Sequence, residues 1–239
     1  MMKATNQGNG SAIVVLGSGG HAAEVCAYVG QLAELCGATR LIGCLDDYGA
    51  AGFAGELAPI GGIQHLAELM RLHGNLRGIT ATGDNVLRRL LVARAEAVGA
   101  LPVTWWTLVH PHASVGSNVE IGEGTCLAPG SIVTTRSRIG RHCILNVKTS
   151  VSHDVTIGDF VNVNPGAVIA GGARIGDGCY IGAGATVIDR VTVGQGTVVG
   201  AGAVVVEDLP ANATAVGVPA RVIKYHTGTW DPMLVARRA

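Results

Sequence analysis

His153 and Asp154 stand side by side, two and three residues past Val151, an aliphatic residue in a strict six-residue series. An imidazole titrates near neutral pH and can take or give a proton under working conditions. A neighbouring carboxylate can orient and polarise the ring, provided the backbone bends enough to bring the two side chains together. Taken alone, a solvated surface imidazole is the more ordinary reading. A second cluster, Gly17-Ser18-Gly19-Gly20-His21, lies between an apolar run and a helical pattern. Such a turn lets backbone N–H groups and a helix N-terminus approach a phosphate. Asp46-Asp47 follows about 25 residues later, at the distance where an acid can read a nucleotide's ribose or base. By itself the glycine turn also admits a nicotinamide enzyme, with Ala22 at the position of the pattern's last glycine.

The element that must position His153 is written in the period. An aliphatic residue recurs every sixth position from Val109 to Val205, seventeen times without a miss. Two residues before each hit sits a small or β-branched residue, such as Thr125, Ser131, Cys143, Ala167 or Cys179. A period of six fits neither an amphipathic helix nor a long alternating strand. It fits a stacked β-solenoid with the aliphatic residues inward. The position after the aliphatic is often Gly or Asn, as at Gly116, Gly122, Gly140, Asn146, Gly158 and Asn164. This predicts positive-φ corners at those residues.

At this step the sequence resembles the hexapeptide-repeat, left-handed β-helix acyltransferases. The resemblance implies three sides, a left hand and coils of 18 residues, about five of them between Val109 and Val205. Eighteen residues after His153 comes Gly171, and Gly172 falls beside Asp154. Two glycines there leave a notch in which an acetyl thioester could lie, with a backbone N–H facing the developing oxyanion. The alternative is that they merely make a corner.

Residues 12–104 read as a small parallel α/β domain. Strands are predicted at Ala12–Leu16, Arg40–Leu45 and Arg77–Ala81, and helices at Ala22–Leu35, Gln64–Leu72 and Val86–Val98. The β-helix is predicted over 105–225, after a flexible N-terminus at 1–11 and before a tail at 226–239. Trp105-Trp106 are expected to pack at the junction, and His142 to lie at a surface or interface. With 17 basic and 17 acidic residues, the chain offers no basic field for nucleic acid or an anionic membrane. No apolar run is long enough to span a bilayer or form a signal-peptide core. Six cysteines without a CxxC pair point to a reduced, cytoplasmic protein, with Cys143 and Cys179 explained by packing.

Over nearly its whole length the chain resembles the nucleotide-sugar acetyltransferases that join such a domain to a left-handed β-helix. They include bacillosamine- and perosamine-type N-acetyltransferases and sialic acid O-acetyltransferases. The resemblance is carried by Gly17–His21, Asp46-Asp47, Gly83-Asp84-Asn85 with Arg88, His110-Pro111, Asn146 through Asp154, Gly158-Asp159-Phe160 and Gly217-Val218-Pro219-Ala220-Arg221. It implies that Gly17, Ser18, Gly19, Gly20, His21, Asp46, Asp47, Gly83, Asn85 and Arg88 bind a nucleotide sugar. It makes His153 the general base toward a sugar amine, Asp154 its orienting partner, and Asn146 a contact to substrate or to the imidazole. Acetyl-CoA is the implied co-substrate, lying along the coils of a homotrimer between subunits. Asn162, Gly171, Gly172, Ala183, Ala201, Arg221 and Lys224 are the candidate contacts. Asn162 departs from the amino-sugar relatives, which commonly carry a second histidine there. No metal is expected. A uridine diphosphate carrier is favoured over a guanosine one.

Three alternatives follow from the same residues. One is O-acetylation of a sugar such as sialic acid. A metal-dependent hydro-lyase would need a histidine ladder, yet the coil neighbours of His153 are Thr135 and Gly171, and those of His142 are Gly124 and Phe160. A non-catalytic nucleotide-binding scaffold would bind nucleotide without acetyl transfer.

Overall fold

The computed structural model describes residues 11–37, 39–47, 58–98 and 102–227; the expected flexible N-terminus and most of the tail lie outside them. The chain divides into two compact units, one ending at Thr107 and the other beginning at Leu108.

The first unit holds a three-stranded parallel sheet. Its strands are β1 (Ser11–Leu16), β2 (Thr39–Leu45) and β3 (Leu76–Thr80), in the order β2-β1-β3. β1 is central and buried along its whole length, which is why it reads as an unbroken apolar run. Helix α1 (Gly20–Cys36) covers the sheet with Ala22, Val25, Val29 and Leu32, one buried stripe at helical spacing. A 3-10 turn at Ile63–His65 leads into α2 (Leu66–Leu72), and α3 spans Asn85–Val98. Trp105 and Trp106 belong to this unit. Trp105 bridges Gly78 of β3 and donates its indole N–H to Glu96 Oε1 at 3.1 Å.

The second unit is a parallel β-helix. Seventeen two-residue strands run from Leu108–Val109 to Val204–Val205, each ending on an aliphatic residue of the series. They stack with a register of 18 residues: Leu145 pairs with Leu127 and Val163, and Val151 with Val133 and Ile169. Three sheets result, and the largest is extended by strands at Ala213–Val216 and Arg221–Tyr225. The aliphatic residues fill the interior. The small residues beside them bond as well as pack. Thr125 Oγ1, Ser137 Oγ, Cys143 Sγ and Cys179 Sγ donate to the carbonyls of Gly140, Ser152, Gly158 and Gly194 at 2.8–3.0 Å. Burial pushes the Cys179 thiol up to about 12, so it stays protonated as a donor.

The corners correct one expectation. Positive φ falls three residues after the aliphatic, not one: at Asn118, Gly124, Gly130, Arg136, His142, Lys148, Asp154 and Phe160, and onward round the coils. The glycines one residue after the aliphatic serve close coil stacking. A Cβ on Gly140 would stand 2.5 Å from the backbone carbonyl of Gly158, and Gly122 meets Gly140 in the same way. The Gly140→Ala variant should therefore lose about 1–3 kcal/mol through overpacking against backbone. Gly166, at φ +71 with open space around it, should accept Asn with little change, since Asn118 and Asn212 already occupy the left-handed region at φ +57 and +55. Thermal unfolding of the two variants checks this pair of outcomes. His142 also departs from expectation. It is buried and stacked on Phe160, ring centroids 5.1 Å apart, in the space that the missing side chain of Gly124 leaves.

Candidate active site

In the second unit the fold turns His153 and Asp154 outward at the corner after the Ser150–Val151 strand. Asp154 takes φ +61, the bend that lets adjacent side chains meet. His153 Nδ1 lies 2.7 Å from Asp154 Oδ2. Asp154 is also gripped from the preceding coil, with Arg136 Nε donating to Oδ1 at 2.7 Å and Nη2 to Oδ2 at 2.8 Å. Sequence reasoning missed Arg136; its signal was an opposite charge 18 residues before Asp154. The Arg136 guanidinium first, and the His153 ring second, hold the Asp154 carboxyl well below the usual carboxylate range. An ionised Asp154 only accepts hydrogen bonds, so Nδ1 must carry a proton, and in the neutral ring the lone pair is on Nε2.

Gly171 stacks against the ring as the repeat predicts. A Cβ there would stand 2.7 Å from His153 Cε1 and 2.8 Å from Nε2. The Gly172 N–H is spent on the His153 carbonyl at 2.9 Å, and the Gly171 carbonyl accepts from Arg190. Among the described residues the Gly171 N–H has no partner, which makes it the N–H available at the notch.

The other candidates of this unit lie elsewhere. Asn146 sits at the corner after a different sheet, its Oδ1 accepting the Val147 N–H at 2.7 Å as a turn cap. Ala183 and Ala201 are exposed on that same corner, two and three coils on from Val147, the residue after Asn146. Asn162 is buried on the strand between. Arg221 is ion-paired with Glu207 at 2.9 Å, and Lys224 lies opposite Thr214 in the last hairpin.

In the first unit the predicted nucleotide residues gather at the carboxyl ends of three paired strands, where Leu16 is in register with both Leu45 and Thr80. This is where open α/β sheets bind ligands. Gly17, at φ +117, makes the turn after β1, and a Cβ there would press on the Ala81 carbonyl at 3.0 Å. Gly19 and Gly20 open α1 with no atom within 4 Å of where a Cβ would stand. Ser18 donates to Asp46 Oδ2 at 2.7 Å, tying the first two clusters together. Asp47 is engaged by the Ile63 N–H at 2.8 Å and by Arg94 at 3.0 Å. Asp84 Oδ1 caps α3 through the Leu87 N–H, beside Gly83 and Asn85. Arg88 is fully buried and donates to the Thr82 carbonyl at 2.8 Å. Burial holds the His21 imidazole below its usual range, with the Arg88 charge adding to that and Glu24 opposing it. Among the described residues no three His, Cys, Asp or Glu side chains form a metal-binding group, and no helix is long and apolar enough to cross a membrane.

Residues 12–95 match the PglD N-terminal domain model, and residues 172–206 the bacterial transferase hexapeptide (six repeats). The structure is similar to that of a mutant perosamine N-acetyltransferase from Caulobacter crescentus in complex with CoA and GDP-perosamine. Identity is 33%, the match covers 90% of this chain and 97% of that one, and the TM-score is 0.79. The chain belongs to the nucleotide-sugar N-acetyltransferase family. A second relative of known structure is the acetyltransferase domain of PglB from Neisseria gonorrhoeae FA1090 in complex with acetyl coenzyme A. It is 33% identical, with 90% of this chain and 100% of that one covered and a TM-score of 0.78. The UDP-N-acetylbacillosamine N-acetyltransferase of Bacillus subtilis (strain 168) is 34% identical over 115 residues. That stretch is 48% of this chain and half the length of the curated relative.

Proposed function

We propose that this family member transfers an acetyl group from acetyl-CoA to the amine of a nucleotide-linked 4-amino-4,6-dideoxy sugar, with His153 as general base. The observation that carries this is the His153–Asp154 pair at 2.7 Å with Gly171 against the ring. The sugar nitrogen attacks the thioester carbonyl carbon while Nε2 accepts the nitrogen's proton. The C–S bond then breaks, and the CoA thiolate leaves and is protonated. The Gly171 N–H faces the oxygen that gains charge.

The turn at Gly17–Gly20 and the Arg88 charge suit a diphosphate, with Asp46 reading ribose or base. The candidate coenzyme contacts support an assembly. Gly171 and Gly172 share a corner with His153, whereas Ala183 and Ala201 lie on the corner before it in each coil. One coenzyme touching both sets would bridge two copies, as in a homotrimer.

The test is thiol release from acetyl-CoA with UDP-, GDP- and dTDP-linked 4-amino-6-deoxy sugars. Turnover with one carrier is the expected result and names the nucleotide. Turnover only with free sialic acid would replace N- by O-acetylation.

A further inference from the structure

We propose that Arg136 is a positioning residue for the catalytic pair, holding Asp154 in a two-point grip so that the carboxylate serves His153 as a fixed acceptor. The inference rests on the reading of His153 as the base. Arg136 and Asp154 occupy the same corner position in successive coils, both in the left-handed region at φ +51 and +61. Coils about 4.8 Å apart bring a planar guanidinium onto a planar carboxylate with both N–H···O distances short. Such two-point pairing fixes orientation in a way that a point charge cannot.

The pair is exposed, the Arg136 and Asp154 side chains at 58% and 45%, so it adds little to stability. Its effect falls on the imidazole. Oδ2 is shared between Arg136 and His153, so the guanidinium sets where the carboxylate meets Nδ1. It also cancels most of the negative charge beside the ring. A carboxylate left alone would favour the protonated imidazole, which cannot act as a base.

The other groups facing this corner are few. Thr135, one coil before His153, directs its hydroxyl to the Ser117 carbonyl. Beyond Gly171 and Gly172 stand Asp189 and Arg190, two coils on. Glu207 and Asp208, a coil further, are engaged with Arg221 and with the Thr192 N–H. Thr135 meets Asp154 only through its carbonyl, which accepts the Asp154 N–H at 3.1 Å, and among the bonds described only Arg136 and His153 reach the Asp154 carboxylate.

The experiment compares full-length wild type, Arg136→Gln and Arg136→Lys by kcat/KM against pH and by NMR titration of the His153 ring. In Arg136→Gln the acidic limb and the ring's titration midpoint should both move up by about 0.5–1 pH unit, on the scale of a lost neighbouring charge. Rate lost near neutral pH should return on the alkaline side, with both KM values within about 2-fold, because substrate contacts are untouched. Arg136→Lys keeps the charge and should restore most of the midpoint. An unmoved midpoint in Arg136→Gln, or a Lys variant that titrates like Gln, overturns the proposal. The NMR readout does not depend on turnover. Full activity in a His153→Ala variant would overturn the base reading instead.

Discussion

Thiol release by the His153→Ala variant should fall by about 10²- to 10⁴-fold at saturating substrates, the contribution of a positioned general base. On the proposed reading the nucleotide carrier is held in the first unit and not by His153, so the KM for the nucleotide sugar should stay within a few-fold. The pH dependence follows from the pair. As pH falls, the wild-type rate is lost when the imidazole protonates. Asp154 stays ionised through that window, because Arg136 and His153 hold it well below the usual carboxylate range. Asp154 therefore adds nothing to the acidic limb, which is left to the imidazole and to the sugar amine, both of which must be unprotonated to react. Asp154→Asn should cost less than His153→Ala, since the ring survives but loses the partner that fixes its tautomer. Stopped-assay thiol detection across pH 5–9 checks both; a His153→Ala variant keeping more than a tenth of wild-type kcat would sink the assignment.

Much of this site could be read from the residues because the β-helix is nearly one-dimensional. Each strand ends on the aliphatic residue that the series names, and adding 18 to a position gives its neighbour in the next coil until the last, where Val198 pairs with Thr214. That arithmetic alone sets Gly171 against His153. The same arithmetic pairs Arg136 with Asp154. Spacing alone does not single that pair out, because Arg138 with Glu120 and Arg141 with Glu123 are also 18 residues apart and only decorate exposed faces. The corner chemistry was misread for a different reason. Glycine answers two demands, positive φ and close approach, and composition alone does not separate them. In this chain the positive-φ position is filled by Asn, Arg, His, Lys, Asp and Phe as well as Gly, while close stacking selects Gly122, Gly140, Gly158, Gly176 and Gly194 down one corner. In the first unit the strand–helix alternation was legible throughout. What each polar group does there was not, since Asp47 is drawn to Ile63 and Arg94 by contacts that no local pattern encodes.

A single methyl group on Gly171 should cost about 10- to 10²-fold in kcat/KM, the scale of a roughly 1 Å displacement of a catalytic group. The added Cβ would stand 2.7–2.8 Å from Cε1 and Nε2, the side of the ring that receives the proton. Backbone strain is absent, because Gly171 is not among the positive-φ residues. The neighbour that must yield is an exposed side chain, so Tm should hardly change. At that distance the ring cannot stay in place, and it yields by swinging off Asp154 Oδ2, which loosens the 2.7 Å bond that fixes its tautomer. The loss therefore passes through His153. Combining Gly171→Ala with His153→Ala should therefore give no further loss beyond His153→Ala alone. If the double variant instead loses the full extra factor, Gly171 acts on the acetyl donor independently of the imidazole, and the notch would have to be assigned to coenzyme binding rather than to the reacting centre.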